Sequence, residues 1–250
     1  MNEQEFANMF NHELKHWWYQ GLQDLLGKFL SNSFMNYQSK SRQHPLLLLD
    51  AGCGTGGNTW IFKDQYKIIS LDISLTALKF CQTRNLERLV QGSVDLLPFP
   101  DDTFDGIFTM DVLYHLNVTD TISALKEMSR VLKPGGILLI QLPAFERLKS
   151  AHDVAIHTRQ RFHIKEVSNL LDESNFKVKF LTYRNFLLFP LIAISRILSR
   201  DKTSHNTSDV SETPILLNFI LKSILKLENL WLERQKSLPI GLSIWGVVTK

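Results

Sequence analysis

"LLLLDAGCGTGGNT", Leu46 to Thr59, decides how this chain of 250 residues is read. Four consecutive leucines read as a strand buried on both faces. Asp50 closes that strand, and Gly52, Gly54, Gly56 and Gly57 follow at once. Glycines this dense after a buried strand make a tight turn where another group comes close to the main chain. Gly52-x-Gly54-x-x-Gly57 also fits a dinucleotide fingerprint, a weak signal when it stands alone. A helix is predicted to follow Gly57.

Strand and helix signals alternate outward from this turn. The patterning predicts strands at Lys67–Asp72, Arg88–Ser93, Phe104–Met110, Ile137–Pro143 and Phe176–Asn185. Helices are predicted at Leu75–Arg84, capped by Ser74, and at Thr121–Leu132, with Ile122, Leu125, Met128 and Leu132 on one face. A further helix is predicted at His163–Asn175. "KPGG" (Lys133–Gly136) ends the second helix, and "LSIWGVVTK" reads as a last strand that returns to the same sheet. The alternation argues an α/β fold, a doubly wound and mostly parallel sheet.

Two regions depart from it. Residues 1–40 read as an N-terminal helical segment carrying "HWWYQG" (His16–Gly21). The main domain then spans 41–250, with a helical insertion at about 185–236 before the last strand. The centre of that insertion, Ser199–Thr213, lacks apolar periodicity and reads as a mobile loop. After it, Leu217, Ile220, Leu221, Ile224 and Leu227 recur at helical spacing and predict an internal packing face or, together with "FLLFPLIAI" (Phe186–Ile194), an apolar substrate tunnel or a contact with a membrane surface, between which Lys222 and Lys226 alone do not decide.

Composition excludes several classes. A hydrophobic content of 44% suffices for a full core, and a net charge of +3 without a basic run disfavours nucleic acid as a partner. Two cysteines make neither a disulfide framework nor a metal set. The opening "MNEQEFANMF" lacks the order of a secretion signal. Asn185–Leu198, the longest apolar-rich run, is too short and interrupted to span a bilayer. The expectation is a cytoplasmic protein without an integral membrane segment, with peripheral membrane contact and oligomeric state left open.

The acid at the turn narrows the ligand. In a dinucleotide site the glycine turn faces a pyrophosphate, which Asp50 would repel. A cationic ligand suits it better, and S-adenosyl-L-methionine carries an ammonium and a sulfonium but no phosphate. Asp72 lies 72 − 50 = 22 residues further on, at the end of the second strand. An acid there can accept both hydroxyls of a ribose.

These stretches together resemble the class I S-adenosylmethionine-dependent methyltransferases. "LLDAGCGTGG" is similar to the family's cofactor loop and "LDIS" (Leu71–Ser74) to its ribose acid. "QGSVDLLPFPDDTFDGIFTMDVLYHL" (Gln91–Leu116) is similar to its adenine loop and fourth strand, and "LKEMSRVLKPGGILLI" (Leu125–Ile140) to the next helix, turn and strand. The likeness covers about residues 44–143. It implies a seven-stranded sheet with an antiparallel last strand, and S-adenosyl-L-homocysteine as product. It implies that Gly52 and Gly54 lie under the methionine part, that Asp72 holds the ribose, that Ile73 lies beside the adenine, and that the Met110 carbonyl meets the ammonium. Where the family often has Asp-Ala, this chain has Ser93-Val94; either Ser93 or Asp95 would then read the adenine amino group. "LPAFERLKSAHD" (Leu142–Asp153), "HTRQRF" (His157–Phe162) and Leu238–Lys250 resemble, more weakly, a bacterial subgroup with an "HWW" stretch near its start.

Methyl transfer is an in-line displacement, so the protein positions the nucleophile and dries the site. A protonated acceptor also needs a base. His115 follows the fourth strand at the ligand edge of the sheet, where it serves as that base or packs beside the cofactor. His152 with Asp153, together with His157 and Arg159, forms a second candidate group or a solvated polar loop; the spacing does not suit a metal. Trp17, Trp18 and Tyr19, with Tyr114, are candidates to hold the substrate. The tryptophans instead anchor a core, or one of them forms part of a lid, since neighbours on a helix point to different sides. The expected activity is methyl transfer to an O or N atom of a small, apolar or aromatic molecule. The alternatives are a non-catalytic regulatory module that binds the same cofactor and, disfavoured by Asp50, an NAD-type oxidoreductase.

Overall fold

The structure, a computed structural model, describes residues 3–40, 45–149, 153, 157–198 and 213–250. Seven strands form its centre: β1 (Leu47–Ala51), β2 (Lys67–Asp72), β3 (Leu89–Gln91), β4 (Phe104–Met110), β5 (Leu132–Pro143), β6 (Lys177–Arg184) and β7 (Ser243–Thr249). They lie in the order β3-β2-β1-β4-β5-β7-β6. Neighbours pair parallel except β7, which runs antiparallel to β5 on one side and β6 on the other. The doubly wound sheet with a reversed last strand is therefore as the sequence predicted. β1 and β4 sit at its centre because they are apolar on both faces: Leu48 and Leu49 are fully buried, and so is every residue of β4.

One boundary differs. β5 already begins at Leu132, which pairs with Phe104, and the next matched pair is Gly106 with Ile137. "KPGG" thus loops out within the strand instead of preceding it. Gly135 at φ +76° permits the excursion, and Lys133 Nζ ties it down by donating to Asp105 Oδ1 at 2.7 Å.

Eight α-helices flank the sheet among the described residues: α1 (Glu3–His12), α2 (Trp17–Lys40), α3 (Gly57–Phe62), α4 (Leu75–Thr83), α5 (Thr121–Val131), α6 (Ile164–Glu173), α7 (Phe189–Leu198) and α8 (Ile215–Glu233). Ser74 caps α4 as expected, its Oγ accepting from Ala77 N at 3.3 Å. On one face of the sheet, α5 and α6 bury Leu125, Met128, Val167 and Leu171 against Leu49, Ile107 and Leu138. On the other face, α2 buries Leu22, Leu25, Leu26, Phe29, Leu30 and Phe34 against Leu48, Ile68, Phe108, Leu139 and Trp245. The boundary drawn at residue 40 therefore does not separate one core from another, because α2 supplies the core of one face.

The insertion packs on a different side from the one predicted. Leu217, Ile220 and Leu227 face solvent, Leu221 and Ile224 are half-buried, and Leu225, Glu228, Asn229 and Leu232 are buried. Polar bonds fix that orientation. Asn229 Nδ2 donates to Gly21 O at 2.8 Å and Asp24 Oδ2 at 2.9 Å, and Glu228 accepts from the backbone N–H of Asn185 and Leu187. The expected mobile loop lies outside the described residues apart from Thr213. Among the described residues, no helix is long and apolar enough to cross a membrane.

The topology fixes where a ligand can bind. The chain leaves β1 toward β2 and β3 on one side and returns to β4 on the other. The carboxyl ends of β1 and β4 therefore open a crevice at the point where strand order reverses.

Candidate active site

A cavity of about 470 Å³ occupies that crevice, within the ~300–1,000 Å³ of small-molecule sites. Its first wall is the glycine turn. Gly52, at φ +85°, has no room for a side chain: a Cβ there would lie 2.4 Å from Val112 Cγ2. Gly54 N donates to Asp72 Oδ2 and Ser74 N to Asp72 Oδ1, both at 2.9 Å, so one carboxylate ties the end of β2 to the turn. Gly52, Gly54, Asp72, Ile73, Ser93, Val94 and Met110 all line the cavity. Asp95 does not; its carboxylate accepts from Thr119 N and Oγ1 at 2.8 Å each.

Asp50 is placed otherwise than the sequence suggested. It is 1% exposed and does not line the cavity. Its Oδ2 accepts from Thr59 Oγ1 at 2.8 Å, and Thr59 Oγ1 also meets Ser70 Oγ at 2.8 Å. The hydroxyl of Thr59, on α3, draws the carboxylate beneath the turn. Burial first, then the nearby charges of Asp72 and Glu13, push its pKa up to about 7.

Glu13, between α1 and α2, escaped the sequence reading. It is 5% exposed, yet one edge reaches the cavity. Its carboxylate accepts from Thr55 Oγ1, from Arg84 Nη2 at 2.7 Å and from Gly57 N at 3.2 Å. A Cβ on Gly57 would lie 2.4 Å from Glu13 Oε2. The bare backbone at Gly57 therefore receives the chain's own N-terminal segment. Arg84 completes the clip, donating from Nε to Thr55 O at 3.0 Å and from Nη2 to Phe10 O at 3.1 Å. Through it α1 covers the turn, with Glu5, Phe6, Asn8 and Met9 in the cavity wall.

The far end of the cavity is built from side chains of distant segments. Trp18, Tyr19, Asp111, Tyr114, His115 and His157 line it. Trp17 does not; its backbone N–H donates to Asn218 Oδ1 at 2.8 Å, tying the start of α2 to α8. His115 and His157 come from neighbouring loops, joined where Leu116 N donates to His157 O at 3.0 Å and Arg159 N to Tyr114 O at 2.8 Å. Arg159 also donates to Val118 O, Thr119 O and Thr121 Oγ1, which makes it a staple between loops. Asp153 accepts from Arg161 Nε and Nη2 at 2.9 and 3.0 Å. His152 lies outside the described residues.

Asp111 is the second residue that sequence reading missed. It sits just past β4 at φ +58°, an unusual conformation for a side chain with a Cβ. Its Oδ2 accepts from Gln141 Nε2 at 2.6 Å, and Gln141 Oε1 accepts from the buried Arg184 Nη1 at 2.6 Å. Burial pushes the Asp111 carboxyl up to about 6 against the lowering pull of that hydrogen bond and of Arg184 and Arg161. Burial likewise raises the phenols of Tyr19 and Tyr114, keeping both protonated at neutral pH.

The charge around the cavity bears on the ligand. Four carboxylates (Glu5, Glu13, Asp72, Asp111) and two imidazoles line it, without a lysine or arginine among the described lining residues; the charge of Glu13 is met by Arg84 behind the wall. Such a wall favours a cation and gives a pyrophosphate no counter-charge. Residues 49–140 match the family described as a methyltransferase domain. That stretch, residues 49–140, is the part that reads as a class I S-adenosylmethionine-dependent methyltransferase domain.

The comparisons extend around it unevenly. Ubiquinone/menaquinone biosynthesis C-methyltransferase UbiE of Cronobacter sakazakii is 40% identical over 121 residues, 42% of this chain and 47% of the relative. Malonyl-[acyl-carrier protein] O-methyltransferase 1 of Coxiella burnetii is 29% identical over 142 residues, 54% of this chain and 48% of the relative. The chain thus spans about half the length of these curated relatives. A solved SAM-dependent methyltransferase of Thermotoga maritima matches over 100% of both chains with a TM-score of 0.58 at 18% identity, a likeness of fold.

The methyltransferase domain implies S-adenosylmethionine as cofactor, and the cavity's acid-rich wall fits that ligand's two cationic groups. The turn fits as well, because Gly52 and Gly54 leave bare backbone in the cavity wall. Two signals in the sequence pointed toward the missed residues. Gly57 lies beyond the tight turn and still lacks a side chain, and Asp111 directly follows Met110. Neither signal says which distant residue fills the space.

Proposed function

We propose that the chain is an S-adenosylmethionine-dependent methyltransferase acting on an amine nitrogen, or a hydroxyl, of a small molecule with an aromatic or apolar body. The observation that carries this reading is the charge of the wall: four carboxylates and two imidazoles in one cavity, without lysine or arginine among the described lining residues. When bound, the cofactor supplies an electrophilic methyl on a sulfonium. Asp72 and the turn of Gly52 and Gly54 hold its nucleoside and methionine parts, with Ile73, Ser93 and Val94 around the adenine. Beyond Met110, Asp111 attracts a cationic acceptor, and the rings of Trp18, Tyr19 and Tyr114 take its apolar body and cation–π contact. α1 excludes water from the side of the turn. His115 removes the proton from the acceptor nitrogen or hydroxyl, and His157 stands second for that role.

The test uses the purified chain, methyl-labelled S-adenosylmethionine and matched panels of aromatic amines, phenols and carboxylic acids. Transfer to amines is expected, with Asp111→Asn raising the acceptor KM while cofactor affinity holds. His115→Ala is expected to lower turnover roughly 10²–10⁴-fold, against a small change for His157→Ala. Cofactor binding without transfer to any panel would favour the regulatory module. Transfer to carboxylic acids alone would refute the amine site.

A further inference from the structure

We infer that α8 is a docking surface for an anionic lipid bilayer. A 19-residue helix is about 28 Å long at 1.5 Å per residue. Its inward side carries polar anchors, Glu228 and Asn229, beside Leu225 and Leu232. Its outward side is the apolar one. Leu216, Phe219 and Leu227 are 72%, 67% and 64% exposed, and Ile220, Leu230 and Trp231 continue the same stripe at i+3/i+4 spacing. An ordinary surface helix has the reverse arrangement, and an exposed apolar stripe this long marks a contact. Leu187, just before α7 where its N–H meets Glu228, and Leu191 extend the apolar exposure.

Charge selects the occupant. Lys222 and Lys226 lie on the helix, and Arg234 and Lys236 follow its end. No acid among the described residues forms an ion pair with any of the four. The helix's two acids are already engaged: Glu228 holds backbone N–H groups, and Glu233 pairs with Lys28 at 2.8 Å. Lys236 Nζ rides 4.5 Å from the centroid of the Trp231 ring, so a cation and an amphipathic aromatic ring share the edge of the stripe. A bilayer with acidic headgroups satisfies both features, taking the apolar side chains to the acyl boundary and pairing the cations with phosphates and carboxylates. A second copy docked on the same face would bring two such sets of cations together with no acids between them.

Vesicle sedimentation with the full chain tests this. Co-sedimentation is expected with phosphatidylcholine vesicles containing phosphatidylserine, weakening with salt, and not with phosphatidylcholine alone. Lys222→Gln and Lys226→Gln should each weaken binding roughly fivefold. The pair Phe219→Glu and Leu227→Glu should abolish it. Unchanged thermal melting and cofactor affinity show that the variants are folded; if the glutamate pair unfolds, the lysine variants decide. Absence of binding, or equal binding to neutral and anionic vesicles, would overturn the inference. So would a dimer in sedimentation equilibrium that the glutamate variants split.

Discussion

The two rims of the cavity are built by opposite means. The rim proposed for the cofactor uses backbone and one carboxylate at the ends of adjacent strands: Gly52 and Gly54 after β1, the Asp72 carboxylate at the end of β2, Met110 at the end of β4. The acceptor rim uses side chains from segments far apart in sequence, Trp18 and Tyr19 from α2, Asp111 to His115 after β4, and His157 beyond β5. A rim of backbone leaves a short, dense pattern in the sequence. A rim of side chains leaves single residues whose meeting depends on the fold. The first can be shared across the domain family, whereas the second is free to differ with each acceptor, as the C- and O-methyltransferase names of the relatives illustrate.

The Glu13 clip joins the two rims, and breaking it is expected to have the largest effect. Glu13→Ala leaves the buried Arg84 guanidinium without its carboxylate and frees the Gly57 N–H and Thr55 hydroxyl. Loss of one partner of a buried pair costs about 3–5 kcal/mol, read by urea denaturation. Cofactor affinity should fall too, because α1 loses its hold on the turn. If stability and affinity both survive, α1 is not clamped by this residue and the two rims are independent.

A smaller effect is expected within the cofactor rim. Asp72→Ala removes an acceptor that already holds Gly54 N and Ser74 N and that is assigned to the ribose. Charge-assisted hydrogen bonds contribute about 1.5–3 kcal/mol each, so calorimetry should show cofactor binding weakened by at least tenfold. Acceptor KM at saturating cofactor should stay nearly constant. A folded variant with unchanged cofactor affinity would refute the ribose assignment.

Asp50 gives the most gradual signal, small per pH unit. Its carboxyl is raised from 3.8 to about 7 in the folded chain, so the folded form holds the proton more tightly than the unfolded one. Its contribution to stability is therefore greatest below the unfolded value and declines as pH rises through that window, at no more than about 1.4 kcal/mol per pH unit. Asp50→Asn should remove this slope and raise relative stability at pH 8, measured by denaturation from pH 4 to 8. An unchanged slope would mean that Asp50 is ionised throughout, and its place under the turn would need another account.

Much of the architecture was legible because it rests on local periodicity and turn chemistry. The leucine run of β1, the glycines after it and the Ser74 cap each declare themselves within a few residues. "KPGG" misled because a glycine that stops a helix also permits a loop inside a strand, and only the pairing of Phe104 with Leu132 distinguishes the two. The stripe on α8 misled for a related reason. Spacing reports that apolar residues share a face, but not which face is inside. Asn229 and Glu228 settled that by finding partners on Gly21, Asp24, Asn185 and Leu187.

By itself the sequence determined the sheet, the position of the glycine turn and, Asp50 apart, which of its proposed cofactor residues line the cavity, because these follow from short-range pattern and backbone geometry. Only the tertiary structure decided that Asp50 points beneath the turn, that Gly57 is bare to admit Glu13, and that Trp18 rather than Trp17 reaches the cavity. It also brought Asp111 beside the aromatic rings and turned the apolar side of α8 outward. Each of these depends on a hydrogen bond or close contact between residues from separate segments of the chain, and a one-dimensional pattern does not carry that information.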